Sequence, residues 1–310
     1  MEFATDVTLG LKNPLNPPLM NGAGCIKTTE DVREASQSPV GAIVTGSFTV
    51  EPRDGNPGET FWPGRESFLN SLGLPNRGIP YLEENLPEMV EICHDAGKQL
   101  VVSVAGFSTD EYVELTRLCK RLRADGVELN LGCPNIVQKD GSRKTIPSYN
   151  EELFGRIINN VTYMSGFSPL WAKVSPIFDG EQIKRFADIL VRHSSVKAVT
   201  VMNTVPNCYS VDDNGKSRIT VGLAGMSGPA IKPIGLGQVL QWRNALPDNI
   251  SVIGVGGIVY GEDLRDYFNV GASACQVTSE VLRQGKLNMR IFDRLIGAYD
   301  HLEFKAVTHG

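Results

Sequence analysis

The stretch Gly-Val-Glu-Leu-Asn-Leu-Gly-Cys-Pro-Asn, residues 126–135, predicts a short apolar strand that ends at a thiol. Pro134 stops regular structure at this point, because proline has no N–H and restricts the residue before it. Cys133 is therefore flanked by the carboxamides of Asn130 and Asn135, which both donate and accept hydrogen bonds. An isolated free cysteine is more often a small buried hydrophobe. This set of neighbours instead favours acid–base chemistry on a neutral, planar, polar substrate.

Seven other short apolar runs resemble this strand, and amphipathic helical patterns separate several of them. The eight predicted strands lie at residues 18–22, 42–46, 100–104, 127–130, 170–174, 198–203, 251–255 and 274–278. One predicted helix carries apolar side chains at helical spacing, at Ile183, Phe186, Ala187, Leu190 and Val191. Another opens with a capping box at Ser108 and Glu111 and continues through Tyr112, Leu115, Leu118 and Leu122.

Eight β/α units in 310 residues predict an α/β fold, a (β/α)8 TIM barrel that spans residues 1–310 as one domain. A doubly wound open sheet is the alternative. Its dinucleotide fingerprint requires a third glycine, which residues 21–24 lack at the proper offset. Two polar insertions, roughly residues 50–80 and 134–150, follow strand ends and are expected at the catalytic face.

The composition excludes several classes of function. A net charge of −5 offers no basic surface for nucleic acid. The six cysteines form no C-x-x-C pair and the four histidines share no ligand spacing, so no metal site is expected. Free thiols without a secretory signal indicate a cytoplasmic protein. No apolar run approaches the ~18 residues of a membrane span, so no membrane association is expected.

Three features at the predicted strand ends carry chemistry. Residues 255–258 and the pair Thr278-Ser279 follow the last two strands, where barrels commonly bind phosphate through glycine-rich turns. Lys173 lies in an apolar strand, and a buried ammonium needs an anion or a polarisable ring. Four carboxamides are expected to converge on one flat ring, namely Asn70, Asn130, Asn135 and Asn203. Together these features predict flavin mononucleotide (FMN), with the cysteine moving a proton while the flavin takes a hydride.

Eight motifs resemble, in order and spacing, those of the class 1 dihydroorotate dehydrogenase family over nearly all of the chain. They occupy residues 20–24, 53–57, 70–76, 129–135, 172–176, 202–204, 225–233 and 254–258. The resemblance implies a barrel that binds FMN and oxidises dihydroorotate to orotate in pyrimidine biosynthesis. It also implies a homodimer. Residues 70–76 resemble the fumarate-using homodimeric branch, whereas residues 202–204 and 225–229 resemble the branch that pairs with an iron–sulfur flavoprotein subunit.

The resemblance also assigns roles to individual residues. It implies that Cys133 takes the C5 proton while the C6 hydride goes to flavin N5, and that Lys173 stabilises charge on the reduced flavin. The implied substrate-binding residues are Asn70, Leu72, Gly73, Leu74, Asn130, Asn135, Asn203 and Thr204. The implied cofactor-binding residues are Ala23, Gly24, Gly46, Ser47, Ser103, Asn130, Lys173, Met202, Gly228, Gly256, Gly257, Thr278 and Ser279.

One departure from the family concerns the cation that faces the substrate carboxylate. The family carries a lysine in a Thr-Lys-Ser run after the second strand, and this chain has Gly46 there; an arginine after Gly-Asn-Pro is also absent. Losing a cation opposite a desolvated carboxylate can cost on the order of 2–5 kcal/mol. Replacement by a cation of the Cys133 loop, Lys139, Arg143 or Lys144, is expected, unless the substrate lacks a carboxylate. A left-handed backbone at Gly46 would make a lysine there strained.

Three other functions remain open at this point. A related flavin enzyme would act on a different dihydropyrimidine or cyclic ene. A flavin-free barrel would use Lys173 as a Schiff-base nucleophile. A non-catalytic barrel would serve as a binding module. The pairing of Cys133 with Lys173 argues against the binding module, and the four carboxamides argue against the Schiff-base barrel.

Overall fold

Eight parallel strands close into a barrel in the computed structural model, which describes residues 7–136, 143–283 and 287–300. In chain order the strands are β1 (Leu19–Asn21), β2 (Ala42–Val44), β3 (Phe61–Pro63), β4 (Phe68–Asn70), β5 (Gln99–Val104), β6 (Gly126–Asn130), β7 (Leu170–Lys173), β8 (Val196–Thr200), β9 (Val205–Cys208), β10 (Ala224–Ser227), β11 (Ser251–Val255) and β12 (Ala274–Val277). The barrel runs β1, β2, β5, β6, β7, β8, β11, β12, and β12 pairs with β1. The predicted barrel is confirmed, and all eight predicted strands belong to it.

Helices cover the outside of the barrel. They are α1 (Thr29–Ser36), α2 (Gly78–Asp95), α3 (Thr109–Arg121), α4 (Glu151–Ser165), α5 (Gly180–Leu190), α6 (Lys232–Ala245), α7 (Gly261–Asn269) and α8 (Ile291–Asp300). Apolar side chains at helical spacing bury one face of each helix against the strands, as in α5, where Ile183, Phe186 and Leu190 are buried. Within the described ranges no helix is long and apolar enough to cross a membrane.

Two details of the predicted helices differ in the structure. Val191 is the C-cap of α5 and is exposed, so the buried stripe ends one residue earlier than predicted. At the start of α3 the Ser108 hydroxyl accepts from the N–H of Glu111, but the Glu111 carboxylate accepts from the N–H of Phe107. The predicted reciprocal capping box is therefore wrong in its second half, because the carboxylate reaches one residue further back.

The interior of the barrel has an apolar floor and a polar layer above it. Side chains two residues apart on a strand share a face, so Trp171 and Lys173 both point inward, as do Ala198 and Thr200. The floor joins Met20, Val44, Val101, Trp171, Ala198, Ile253 and Ala274 with Leu9 and Leu11 of the N-terminal segment. Trp171 Nε1 donates to the carbonyl of Leu9 at 2.9 Å. The polar layer therefore lies towards the carboxyl ends of the strands, where the catalytic face of such barrels is found.

A second sheet lies at the mouth of the barrel. It is antiparallel, in the order β3-β4-β10-β9, and it joins the insertion after β2 to the segment after β8. Asn70 pairs with Gly225 in this sheet. The insertion at residues 50–80, expected at the catalytic face, supplies β3 and β4 of this sheet. The sheet matters for function because it fixes Asn70 above the barrel.

Candidate active site

A cavity of about 510 Å³ opens at the carboxyl ends of the barrel strands, beneath the second sheet. This volume lies within the roughly 300–1,000 Å³ typical of small-molecule sites. Of the residues predicted for substrate, cofactor or catalysis, it is lined by Ala23, Gly24, Gly46, Ser47, Asn70, Leu72, Gly73, Leu74, Asn130, Cys133, Asn135, Lys173, Met202, Asn203, Thr204, Gly228, Gly256, Gly257, Thr278 and Ser279. Ser103 is the exception. It is fully buried behind the cavity wall, 2.9 Å from the hydroxyl of Ser47.

The four predicted carboxamides converge in the cavity as two hydrogen-bonded pairs. Asn203 donates to Asn130 Oδ1 at 3.3 Å, and Asn130 donates to the Ser47 hydroxyl at 2.9 Å. Asn135 donates to the backbone carbonyl of Asn70 at 2.8 Å and to Asn70 Oδ1 at 3.2 Å. These bonds fix the side-chain orientations before any ligand binds, which reduces the conformational entropy lost on binding.

Two buried oxygen atoms in this region lack a partner among the described residues. They are Asn135 Oδ1 and the hydroxyl oxygen of Thr204. Both residues line the cavity. Buried polar atoms are almost always hydrogen-bonded in folded proteins. Neither oxygen has accessible surface in the ligand-free structure, so a side chain has to turn before either atom can accept a hydrogen bond from a ligand.

Cys133 lines the cavity beside a cation that the sequence placed in its loop. Burial raises the pKa of the thiol above its ordinary value, whereas the Asn135 backbone N–H and the nearby Lys144 and Arg53 lower it. Lys144 donates to the carbonyl of Gly106 and lies 5.0 Å from the centre of the Phe107 ring. Burial lowers the pKa of Lys144 to about 8. A thiol with this environment becomes a base only when neighbouring donors stabilise its thiolate form.

Lys173 is buried at the base of the cavity and has a counter-ion that sequence reasoning missed. Its ammonium donates to Gln276 Oε1 at 3.0 Å and lies 3.7 Å from Glu128 Oε1. Glu128 Oε2 accepts from the Thr200 hydroxyl and from Gln276 Nε2, each at 2.8 Å. The only sequence signal for this pair was a glutamate two residues before Asn130 in an otherwise apolar strand. Such a residue has to be paired when it is buried.

The turns after β11 and β12 have the backbone expected of an anion site. Gly256 and Gly257 adopt φ angles of 116° and 68°, which side chains other than glycine rarely tolerate. A Cβ at Gly257 would lie 2.8 Å from the backbone nitrogen of Lys232. Thr278 and Ser279 line the same side of the cavity. Backbone without side chains lets a phosphate approach closely, so these turns are suited to a phosphorylated cofactor.

The structure corrects the expectations around Gly46. Its φ is outside the left-handed range, so a side chain there is not strained by the backbone. Arg143 donates to the carbonyls of Leu223 and Pro134, and neither Arg143 nor Lys144 lines the cavity. Lys139 lies outside the described residues. The cation at Gly46 is Lys27 of the β1–α1 loop, whose Cγ would be 3.2 Å from a Cβ at position 46.

Known proteins resemble this chain over most of its length. The sequence profile of the family described as dihydroorotate dehydrogenase matches residues 7–298. Dihydroorotate dehydrogenase (fumarate) of Kluyveromyces lactis is 32% identical over 283 residues, 90% of this chain and 86% of that protein. Dihydroorotate dehydrogenase A (fumarate) of Lactococcus lactis subsp. lactis is 32% identical over 287 residues, 90% of this chain and 88% of that protein. The crystal structure of DHODH from Eimeria tenella in complex with ferulenol superposes with a TM-score of 0.76 at 18% identity. The superposition covers 96% of this chain and 84% of the Eimeria tenella chain, which supports the barrel fold.

Proposed function

This chain belongs to the dihydroorotate dehydrogenase family, and we propose that it oxidises dihydroorotate to orotate with a bound FMN. The reaction class follows from the family: the protein is an oxidoreductase acting on a CH–CH bond. The observation that carries the substrate is the convergence of four carboxamides, Asn70, Asn130, Asn135 and Asn203, on the cavity that Cys133 also lines. A dihydropyrimidine ring offers the alternating N–H and C=O groups that such a wall can bind.

The residues of the cavity fit FMN. The glycine turn at Gly256 and Gly257, with Thr278 and Ser279, is suited to the phosphate, and the cavity is large enough to hold a ring system. Bound FMN supplies a ring that accepts the hydride from C6 of the substrate. Lys173 would lie beside this ring, where its ammonium stabilises negative charge. The Glu128 carboxylate lies 3.7 Å from that ammonium and would balance its charge when the ring carries none.

Cys133 is proposed as the base that removes the C5 proton. The C5–H bond breaks and its electron pair forms the new C5–C6 double bond, while the hydride leaves C6. The thiolate ends as a thiol, so the protein gains one proton for each orotate formed. General-base catalysis of this kind typically contributes ~10²–10⁴-fold to the rate. The Asn135 N–H and Lys144 support the thiolate that this step requires.

Cofactor analysis and a substrate panel test the proposal. The purified protein should be yellow, release FMN on denaturation, and transfer electrons from dihydroorotate to an artificial dye. A protein that stays colourless after incubation with FMN would rule out the flavin assignment. Activity with dihydrouracil but none with dihydroorotate would support the second candidate, a flavin enzyme for a dihydropyrimidine without a carboxylate. That candidate is favoured by one observation, Gly46 at the position of the family lysine.

Fumarate is the electron acceptor that we propose, and a homodimer is the proposed assembly. The relatives from Kluyveromyces lactis and Lactococcus lactis are both named for fumarate. Reoxidation of the dihydroorotate-reduced protein by fumarate, followed by flavin absorbance, tests the acceptor. If fumarate leaves the flavin reduced, a separate electron-transfer subunit becomes the alternative. Light scattering on the purified protein distinguishes a dimer from a monomer.

A further inference from the structure

Lys27 occupies the space that Gly46 leaves open. The β1–α1 loop lies against the end of β2, where the N–H of Gly46 donates to the carbonyl of Ile26 at 2.5 Å and Ile26 bridges to Thr45. The Lys27 side chain passes over Gly46 and lines the cavity. A side chain at position 46 would contact Lys27 Cγ at 3.2 Å, so two long side chains compete for the same space.

The two cations that line the cavity differ in the contacts of their ammonium groups. Among the described residues, the cavity is lined by two cations, Lys27 and Lys173, and two carboxylates, Asp31 and Glu280. The Glu128 carboxylate already balances Lys173 inside the barrel. No hydrogen bond or ion pair engages the Lys27 ammonium within the described part of the chain.

Both cavity carboxylates have their own hydrogen-bond or ion-pair partners. Asp31 accepts from the backbone N–H groups of Lys27 and Thr28, at 2.7 and 2.9 Å, and so caps α1. Glu280 forms an ion pair with Arg283 at 3.1 Å. Burial is the largest influence on the Lys27 ammonium and lowers its pKa, whereas the nearby Cys25 and Asp31 raise it. An anionic ligand would offset the effect of burial.

We propose that Lys27 binds the carboxylate of the substrate and determines specificity for a carboxylated dihydropyrimidine. The inference rests on the proposed function and deepens it. Lys27 reaches the cavity at the end of β2, which is two strands around the barrel from β12 and its phosphate turn. On this assignment a cation of the β1–α1 loop serves in place of one at the end of β2, and the glycine at position 46 leaves room for it.

Four variants of the holoprotein test this assignment: Lys27→Met, Lys27→Arg, Gly46→Lys and the double variant Lys27→Ala/Gly46→Lys. Lys12→Met is the matched control, since Lys12 is exposed and outside the cavity lining. Calorimetry measures the affinity for orotate and for uracil, which has the same ring without the carboxylate. FMN content is measured for each variant, and it verifies folding independently of activity.

Lys27→Met should weaken orotate binding by about 30-fold or more, the scale of losing one partner of a desolvated charge pair. Uracil affinity and FMN content should stay at the parental level. Lys27→Arg should retain most of the preference for orotate. Gly46→Lys alone should not raise the affinity for orotate, because Lys27 already fills the site. The double variant should recover the orotate affinity that is lost without Lys27.

The assignment would be overturned if Lys27→Met lost affinity for orotate and uracil equally, or lost none for orotate. Loss of FMN with an unchanged preference for orotate would also overturn it and would assign Lys27 to the cofactor. A parent that binds no orotate would overturn it as well. If the parent binds orotate through Lys27 but leaves its flavin oxidised with dihydroorotate, the proposed reaction fails while the carboxylate site stands.

Discussion

Lys173 Nζ lies 3.7 Å from Glu128 Oε1 inside the barrel, and the two residues are 5% and 0% exposed. The pair lies in a polar layer with Thr200 and Gln276, above an apolar floor. Removing one partner of such a buried pair leaves a charge that neither water nor protein compensates. The geometry therefore makes the two residues energetically interdependent.

Glu128→Gln should destabilise the apoprotein by about 3–5 kcal/mol, as when one partner of a buried ion pair is removed. The replacement keeps the shape but turns an N–H group towards the Lys173 ammonium. Urea unfolding of the FMN-free protein measures the effect without the added stability of bound ligand. The double variant Glu128→Gln/Lys173→Met should lose less free energy of unfolding than the two single variants lose together. Strict additivity would show that the pair is not coupled.

Cys133→Ala should slow flavin reduction by dihydroorotate by ~10²–10⁴-fold, because the base is lost. FMN binding should be unchanged, since the phosphate turn lies on other strands. Rapid mixing under anaerobic conditions measures the rate. The matched control is Cys208→Ala, which removes a partly exposed thiol outside the cavity lining. If Cys133→Ala reduced its flavin at the parental rate, a group other than Cys133 would be the base that removes the proton.

The rate of flavin reduction should rise with pH through the neutral and mildly alkaline range. Burial raises the pKa of Cys133 above its ordinary value of 9.0, so each increase in pH enlarges the small thiolate fraction. Lys144 stabilises that thiolate, although its own pKa of about 8 means that its charge is lost as pH rises further. Lys144→Met should therefore shift the profile to higher pH, and Arg143→Met should leave it in place. A profile that is flat in the parent would contradict this account.

Gly257→Val should release FMN. The φ of 68° strains any β-branched residue, and the new Cβ would lie 2.8 Å from the backbone nitrogen of Lys232. Equilibrium dialysis or flavin fluorescence measures the FMN affinity. The matched control is Gly237→Ala in α6, where a Cβ meets no atom within 4 Å. That control should keep FMN and gain up to about 1 kcal/mol of stability from helix propensity. If Gly257→Val kept its full FMN content, the turn would not be the site that binds the phosphate.

The barrel and the cavity wall follow from local sequence pattern. Each barrel strand is a short apolar run with a turn signal behind it, and the carboxyl ends of parallel strands meet on one face. This rule alone brings Asn130, Cys133 and Lys173 into one cavity. Ser103 follows the same rule but lies behind Ser47, because the depth of a side chain in the wall depends on packing.

Other features depend on contacts that no local pattern encodes. The strands of the second sheet have three or four residues each and pair across long stretches of chain, so their periodicity is too short to detect. Lys27 lies in a loop whose path is set by its pairing with the end of β2. The sequence showed that a cation was missing at Gly46, and only the three-dimensional arrangement shows which lysine lies there.

A single turnover of the parent protein with dihydroorotate in the absence of oxygen shows whether dihydroorotate is its substrate. Flavin absorbance and the orotate formed are measured in the same sample. Under the proposed function we expect the flavin to be bleached and one orotate to appear for each FMN. A flavin that stays oxidised with excess dihydroorotate, yet is reduced by dithionite, would contradict it.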